Sequence, residues 1–218
     1  MTLRELRESI GRKQARLAVI GLGYVGLPVA CQFAQAGFNV LGVELRSDRV
    51  AQINAGRSPI EGDEPGLDEL LKQVIASRKL QATKDYQELG DRDVILIDVE
   101  TPVDEHNVPH YDALRAVLLD LGPEMKTGAL VIVESTIAPG TMNKFVQPLL
   151  SKSSGRAPNQ DFYLGNCPER VMPGKLLANL RGINRVVGGM TPETAETMVA
   201  LYRHVCLLYT SPSPRDRS

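Results

Sequence analysis

The stretch from Leu17 to Glu44, LAVIGLGYVGLPVACQFAQAGFNVLGVE, constrains the chain more than any other. Four apolar residues, Leu17 to Ile20, stop at Gly21. Further glycines fall at Gly23 and Gly26, and an apolar pattern of helical period then runs to Gly37. That order spells strand, tight turn and helix. A second apolar run, Val40 to Val43, ends in an acid, Glu44, eighteen positions after Gly26. The whole unit has the spacing of a dinucleotide cradle.

Each residue type in it has a chemical reason. Gly21 lets the backbone leave the strand through torsions that a side chain would forbid, Gly23 keeps the chain bare where a pyrophosphate approaches, and Gly26 lets helix and strand close on each other. The helix then points its unpaired N–H groups and positive dipole end at the phosphates. Glu44 accepts hydrogen bonds from ribose hydroxyls and repels a 2′-phosphate, so NAD is expected over NADP. Arg46 and Arg49 lie just beyond it and face either the adenine or solvent.

Composition narrows the alternatives. The chain has 218 residues, 43% hydrophobic and 23% charged, with a net charge of −1. It has no basic face for nucleic acid, so neither DNA nor RNA is expected as a partner. The first sixteen residues, MTLRELRESIGRKQAR, lack the apolar core of a secretory signal or membrane span, and a cytoplasmic location without membrane contact is the default. Leu3, Leu6 and Ile10 have helical spacing, and residues 1–15 are expected to form a helical appendage, solvated rather than packed. Cys31, Cys167 and Cys206 lack metal-ligand spacing and an even count, so neither a metal site nor a disulfide framework is expected. From residue 205 the chain runs into CLLYTSPSPRD, which reads like a transposase adapter used in DNA sequencing and loses the apolar period. Residues 205–218 are therefore expected to be a non-native tail, with the natural chain continuing beyond His204.

The remaining pattern predicts helices over 48–55, 65–76, 111–121 and 141–150, the third ended by Gly122 and Pro123, and another over 192–204. Strands are predicted at 80–83, 94–97, 129–133 and 162–165. Glu61, Asp63 and Glu64 read as solvated turn residues, and His106 and His110 as residues of a polar turn. Six apolar strands alternating with helices define an α/β fold, a Rossmann-type doubly wound parallel sheet with helices on both faces, over residues 16–204. In such a sheet the carboxyl ends of the strands border the cofactor. Val99 and Thr101, after the strand at 94–97, are therefore placed on the nicotinamide side. Ser135 and Thr136, after the strand at 129–133, are placed to bind cofactor or a sugar hydroxyl and to cap the following helix, roles that can hold at once.

At VIGLGYVGLP, DVETPVD, VIVESTIAPGTM, CPERVMPGKLL and RVVGGMTP the chain resembles the UDP-glucose/GDP-mannose dehydrogenase family, from about Arg16 to His204. The resemblance implies NAD-dependent oxidation of a nucleotide sugar's primary alcohol to a carboxylate, in two hydride transfers through a cysteine-bound intermediate. It places Gly21, Gly23, Tyr24, Val25 and Gly26 on the pyrophosphate and Glu44 and Arg49 on the adenosine ribose. Thr101 falls beside the cofactor and Thr136 between cofactor and substrate. Glu169 matches the glutamate associated with the active-site water and acid–base steps, while Arg170 and Val171 match positions that contact the sugar nucleotide. On chemistry alone, Glu169 beside Arg170 is either a surface ion pair or a general base tuned by burial. The glucose branch carries a second glutamate where Pro173 stands here, which points to a UDP-N-acetylhexosamine, UDP-N-acetylmannosamine first. UDP-glucose and UDP-N-acetylglucosamine are the alternatives within the family.

Family members are homodimers, and their reactive cysteine comes later than any in this chain. Cys167 is therefore not expected to be the nucleophile, and this chain alone is expected to bind NAD without turning over substrate. Two rivals share the cradle. The 3-hydroxyacid and 6-phosphogluconate dehydrogenases lack the C-P-E-R-V-x-P-G loop, and a non-catalytic NAD-binding module would need none of the later motifs.

Overall fold

Leu17–Ile20 are apolar without alternation because both faces of their strand are covered, the signature of an interior strand in a parallel sheet. In the computed structural model, which describes residues 1–62, 64–169 and 174–206, this strand is β1 (Arg16–Ile20). It pairs in parallel with β2 (Asn39–Val43) on one side and β4 (Val94–Ile97) on the other. Adding β3 (Leu80–Thr83), β5 (Ala129–Val133), β6 (Phe162–Asn166) and the two-residue β7 (Gly188–Gly189) gives a seven-stranded sheet in the order β3-β2-β1-β4-β5-β6-β7. The chain order reverses between β1 and β4, so a crevice opens at their carboxyl ends. The six predicted strands are all present and parallel. The seventh, antiparallel to β6, is too short to carry a period in sequence.

Alternate residues of the central strands feed two cores. Leu17 and Val19 join α2 (Gly26–Gln35), α4 (Leu67–Ala76) and α8 (Pro192–Tyr202) on one face, while Ala18 and Ile20 join α5 (Asp112–Glu124) and α6 (Gln147–Ser154) on the other. Two smaller helices, α3 (Ser47–Asn54) and α7 (Leu176–Gly182), complete the layers.

Three expectations change. The amino-terminal segment does form a helix, α1 (Leu3–Gly11), opened by a capping box in which Thr2 and Glu5 exchange hydrogen bonds. It is not solvated: Leu3, Leu6 and Ile10 are buried against α8, and Arg7 meets Glu196 at 2.7 Å. Three apolar residues on one stripe bury more surface than a free helix of this length could leave in water.

The helix α5 passes through Gly122 and Pro123 to Glu124. Proline in the last turn forfeits a single hydrogen bond, to the carbonyl of Leu119, whose residue is 46% exposed. Gly122 serves contact rather than termination, since a Cβ there would lie 2.0 Å from Ser153 Oγ on α6. The helix predicted over 141–150 divides into a wide turn at Met142–Val146 and α6 itself.

Removing the α1 anchor should be costly. Leu6→Ala is expected to lower stability by ~2–5 kcal/mol in urea unfolding, the usual loss for a fully buried leucine, while Arg4→Ala leaves it within about 0.5 kcal/mol.

Candidate functional site

The glycine turn is built by contact. Gly21 takes φ +93°, and a Cβ there would meet the Asp98 carbonyl oxygen at 2.6 Å. A Cβ on Gly26 would lie 1.9 Å from the Gly21 carbonyl oxygen, so the first turn of α2 can sit on the end of β1 only because neither residue has a side chain. Gly23 differs: nothing lies within 4 Å of its Cβ position. It faces open space at the mouth of the crevice, and α2 starts at Val25 without a side-chain cap. Bare backbone beside an uncapped helix start suits a pyrophosphate.

A cleft of about 640 Å³ runs from this turn across the strand ends. Among its lining are Gly21, Gly23, Tyr24, Val25, Glu44, Val99, Thr101, Thr136 and Glu169, so it unites most of the residues singled out in sequence. Gly26 lies behind the turn. Arg49 lines a neighbouring hollow with Tyr24 and Arg46, and reaches back to Glu44 at 3.6 Å and to the Leu22 carbonyl oxygen at 3.0 Å. Arg46 instead pairs with exposed Asp48 at 2.7 Å, although its N–H donates to Glu44. The two arginines thus part company: Arg49 turns inward to the acid, and Arg46 faces solvent. Arg170 and Val171, with Asp63 and Pro173, lie outside the described residues.

Side-chain hydroxyls lace the ends of β4 and β5 together. Ser135 Oγ donates to the Val99 carbonyl at 2.6 Å and Thr101 Oγ1 to that of Thr136 at 2.7 Å. Beneath them lies a charged floor that sequence reasoning missed. Arg185 is 9% exposed, meets Glu134 at 2.8 Å and also pairs with Glu169. Tyr202, on α8, lies beneath that guanidinium with its ring centroid 5.0 Å away and donates to Glu134 Oε1 at 2.6 Å. Glu169 therefore has a partner that is remote in sequence and buried, Arg185, while Arg170 lies outside the described residues. The only hint had been an acid directly after the apolar run ALVIV, where a core residue would have been cheaper.

Glu64 also corrects its expectation. Far from a solvated turn residue, it accepts from the N–H groups of Gly174 at 2.6 Å and Leu176 at 3.2 Å and from the Tyr24 hydroxyl. Burial acts to raise its pKa, but these donors outweigh it and hold the carboxyl below its ordinary value. Glu64 therefore ties the glycine turn to the start of α7.

None of the thiols is prepared to react. Burial pushes Cys31 and Cys167 up to about 12, and raises Cys206 as well. Among the described residues no cluster of three or more metal-ligating side chains occurs, and no helix is long and apolar enough to cross a membrane.

The sequence profile of the UDP-glucose/GDP-mannose dehydrogenase family, NAD binding domain, matches residues 15–206. The chain belongs to this family. It is 39% identical over 188 residues to a UDP-N-acetyl-D-mannosamine dehydrogenase of Pyrococcus horikoshii, covering 86% of this chain and 44% of that relative. It is 37% identical over 194 residues to a UDP-N-acetyl-D-glucosamine 6-dehydrogenase of Pseudomonas aeruginosa, covering 88% of this chain and 44% of that one. Among solved structures, an NDP-N-acetyl-D-galactosaminuronic acid dehydrogenase from Methanosarcina mazei superposes with a TM-score of 0.85 at 34% identity, over 95% of this chain and 46% of that one. The chain thus spans under half the length of these relatives. NAD is the cofactor that the matched domain binds, and the bare turn at Gly23 with Glu44 lining the same cleft fits it.

The three glycines should respond differently. Gly23→Val is expected to leave the melting temperature unchanged while weakening NAD binding by about tenfold or more in calorimetry. Gly26→Val should instead abolish cooperative melting. In addition, a thiol-specific reagent at about pH 8 should find no reactive cysteine in the native protein and all three after unfolding, since burial raises every one of these thiols, Cys31 and Cys167 to about 12.

Proposed function

We propose that this chain is the NAD-binding part of a cytoplasmic, homodimeric enzyme that oxidises the primary alcohol of a UDP-N-acetylhexosamine, UDP-N-acetylmannosamine first, to the uronic acid. The observation that carries the reading is Glu169 held by Arg185 on the floor of the same cleft that holds the glycine turn, Thr101 and Thr136. The names of the relatives point to the same substrate class.

When bound, NAD supplies the acceptor for the hydride; the rest falls to side chains. Glu44 receives the ribose hydroxyls of the adenosine and disfavours a 2′-phosphate, with Arg49 braced behind it. The Thr101–Thr136 hydrogen bond fixes the two strand ends, which leaves the Thr136 hydroxyl to meet the sugar or the cofactor. Glu169, ion-paired and partly buried, accepts a proton from the substrate hydroxyl or its attacking water. Arg170 and Val171 are proposed to contact the sugar nucleotide, as the resemblance implies.

Conversion of an alcohol to a carboxylate needs two hydride transfers, and the second requires the aldehyde to be held as an adduct that can lose hydride. Cys167 is too basic for that role at neutral pH, and it already faces the Arg185 and Glu134 pair. The chain by itself is therefore proposed to bind NAD without completing the reaction.

Two measurements test this. Purified 218-residue protein mixed with NAD and UDP-N-acetylmannosamine should form no uronic acid, and its appearance would overturn the account of its thiols. Glu44→Ala should narrow the preference for NAD over NADP by about tenfold, the equivalent of ~1.4 kcal/mol; an unchanged ratio would remove Glu44 from cofactor choice.

A further inference from the structure

Among the described residues, the floor of the cleft holds three carboxyl groups, Asp98, Glu134 and Glu169, and the guanidinium of Arg185. Arg185 and Tyr202 both reach the same oxygen, Glu134 Oε1. Glu134 Oε2 and Asp98 Oδ2 are buried and have no donor. These two oxygens belong together. Ile97 on β4 is in register with Val133 on β5, and the Glu134 N–H donates to the Ile97 carbonyl at 2.9 Å. Asp98 and Glu134 therefore follow side by side, on the sheet face that β4 and β5 share with Leu96 and Ile132. Two adjacent buried carboxylates repel, whereas one proton between them removes the repulsion and supplies the missing donor.

We propose that Asp98 and Glu134 hold one proton between them, and that binding of oxidised NAD in the cleft above expels it to solvent. This rests on NAD occupying the cleft, as argued above. Asp98 lies directly under the cradle, since a Cβ on Gly26 would be 3.0 Å from its own Cβ. Among the described residues, the groups that face the pair are Glu169 beyond β6, Cys167, Arg185 ahead of β7 and Tyr202 on α8. Burial first, and then the facing Glu134, push the Asp98 carboxyl well above the usual range, with Arg185 opposing.

The oxidised and reduced dinucleotides share their phosphates and differ in the cationic ring. A cation brought to the cleft favours the doubly ionised pair, so the proton leaves with oxidised NAD and stays with the reduced form. By linkage, affinity for oxidised NAD then rises with pH below the free pair's pKa, by at most about tenfold per unit, while that for NADH does not follow.

The test is titration calorimetry of the 218-residue protein in buffers of different ionisation enthalpy, which counts protons exchanged on binding. Wild-type protein is expected to release up to one proton with oxidised NAD and measurably less with NADH. Asp98→Asn, which keeps a donor toward Glu134 but has no proton to lose, is expected to bind oxidised NAD with no buffer dependence. Equal proton counts for the two dinucleotides in the wild type would overturn the coupling whether or not the variant folds. So would undiminished release from a folded Asp98→Asn protein. Absence of binding heat with either dinucleotide would overturn the cofactor assignment and the coupling with it, whereas binding without proton exchange overturns the coupling alone.

Discussion

The close approach of helix α2 to the ends of β1 and β4 is the constraint on which the rest depends. Two carbonyl oxygens, of Gly21 and Asp98, occupy the places where side chains at Gly26 and Gly21 would be. Because the helix start is so low, its free N–H groups face the crevice at the reversal of strand order rather than a capping side chain. Glu44, at the end of the neighbouring strand, is then held beside the same turn, since Ile20 is in register with Val43 and the Gly21 N–H donates to the Val43 carbonyl. A cradle for a dinucleotide is thus a consequence of how tightly one helix packs, and its chemistry is mainly that of exposed backbone.

A second theme is the cost of the charged floor. Burying Glu134 and Arg185 almost completely forfeits their hydration, and an ion pair in such a place does little more than offset that loss. Fold stability alone does not call for it, since an apolar pair of similar volume would serve the core as well. Its value lies in position: one guanidinium fixes Glu169 at the cleft and, through Glu134 and Tyr202, joins that carboxylate to α8. The helix α8 in turn packs on α1, so the first residues of the chain support a site far from them in sequence.

Much of this was legible in the linear pattern. Strands buried on both faces carry unbroken apolar runs, and the central parallel strands stood out for that reason, whereas β3, LQAT with Gln81 exposed, is short and only partly apolar. The glycine spacing likewise gave away the tight turn between β1 and α2, because the carbonyl oxygens of Asp98 and Gly21 leave no room for side chains at Gly21 and Gly26. What escaped notice was polar and distant. Glu64 sits in a loop whose composition reads as a turn, yet it accepts from residues 110 and 112 positions later. Arg185 precedes an unremarkable apolar pair, and nothing local shows that its two carboxylate partners lie 51 and 16 positions earlier. Gly122 and Pro123 misled for the converse reason. Their local preference is to end a helix, but a close helix contact and a single tolerable lost hydrogen bond outweighed it.

Periodicity and glycine spacing are local properties, and by themselves they determined the doubly wound sheet and the bare turn between its first strand and helix. The partners of Glu64, Glu134 and Glu169, and the burial of α1, were decided only by the tertiary structure. A carboxylate's neighbours are set by where separate strand ends converge, and whether an apolar stripe is covered depends on which helix arrives opposite it. Neither fact is written in the residues adjacent along the chain.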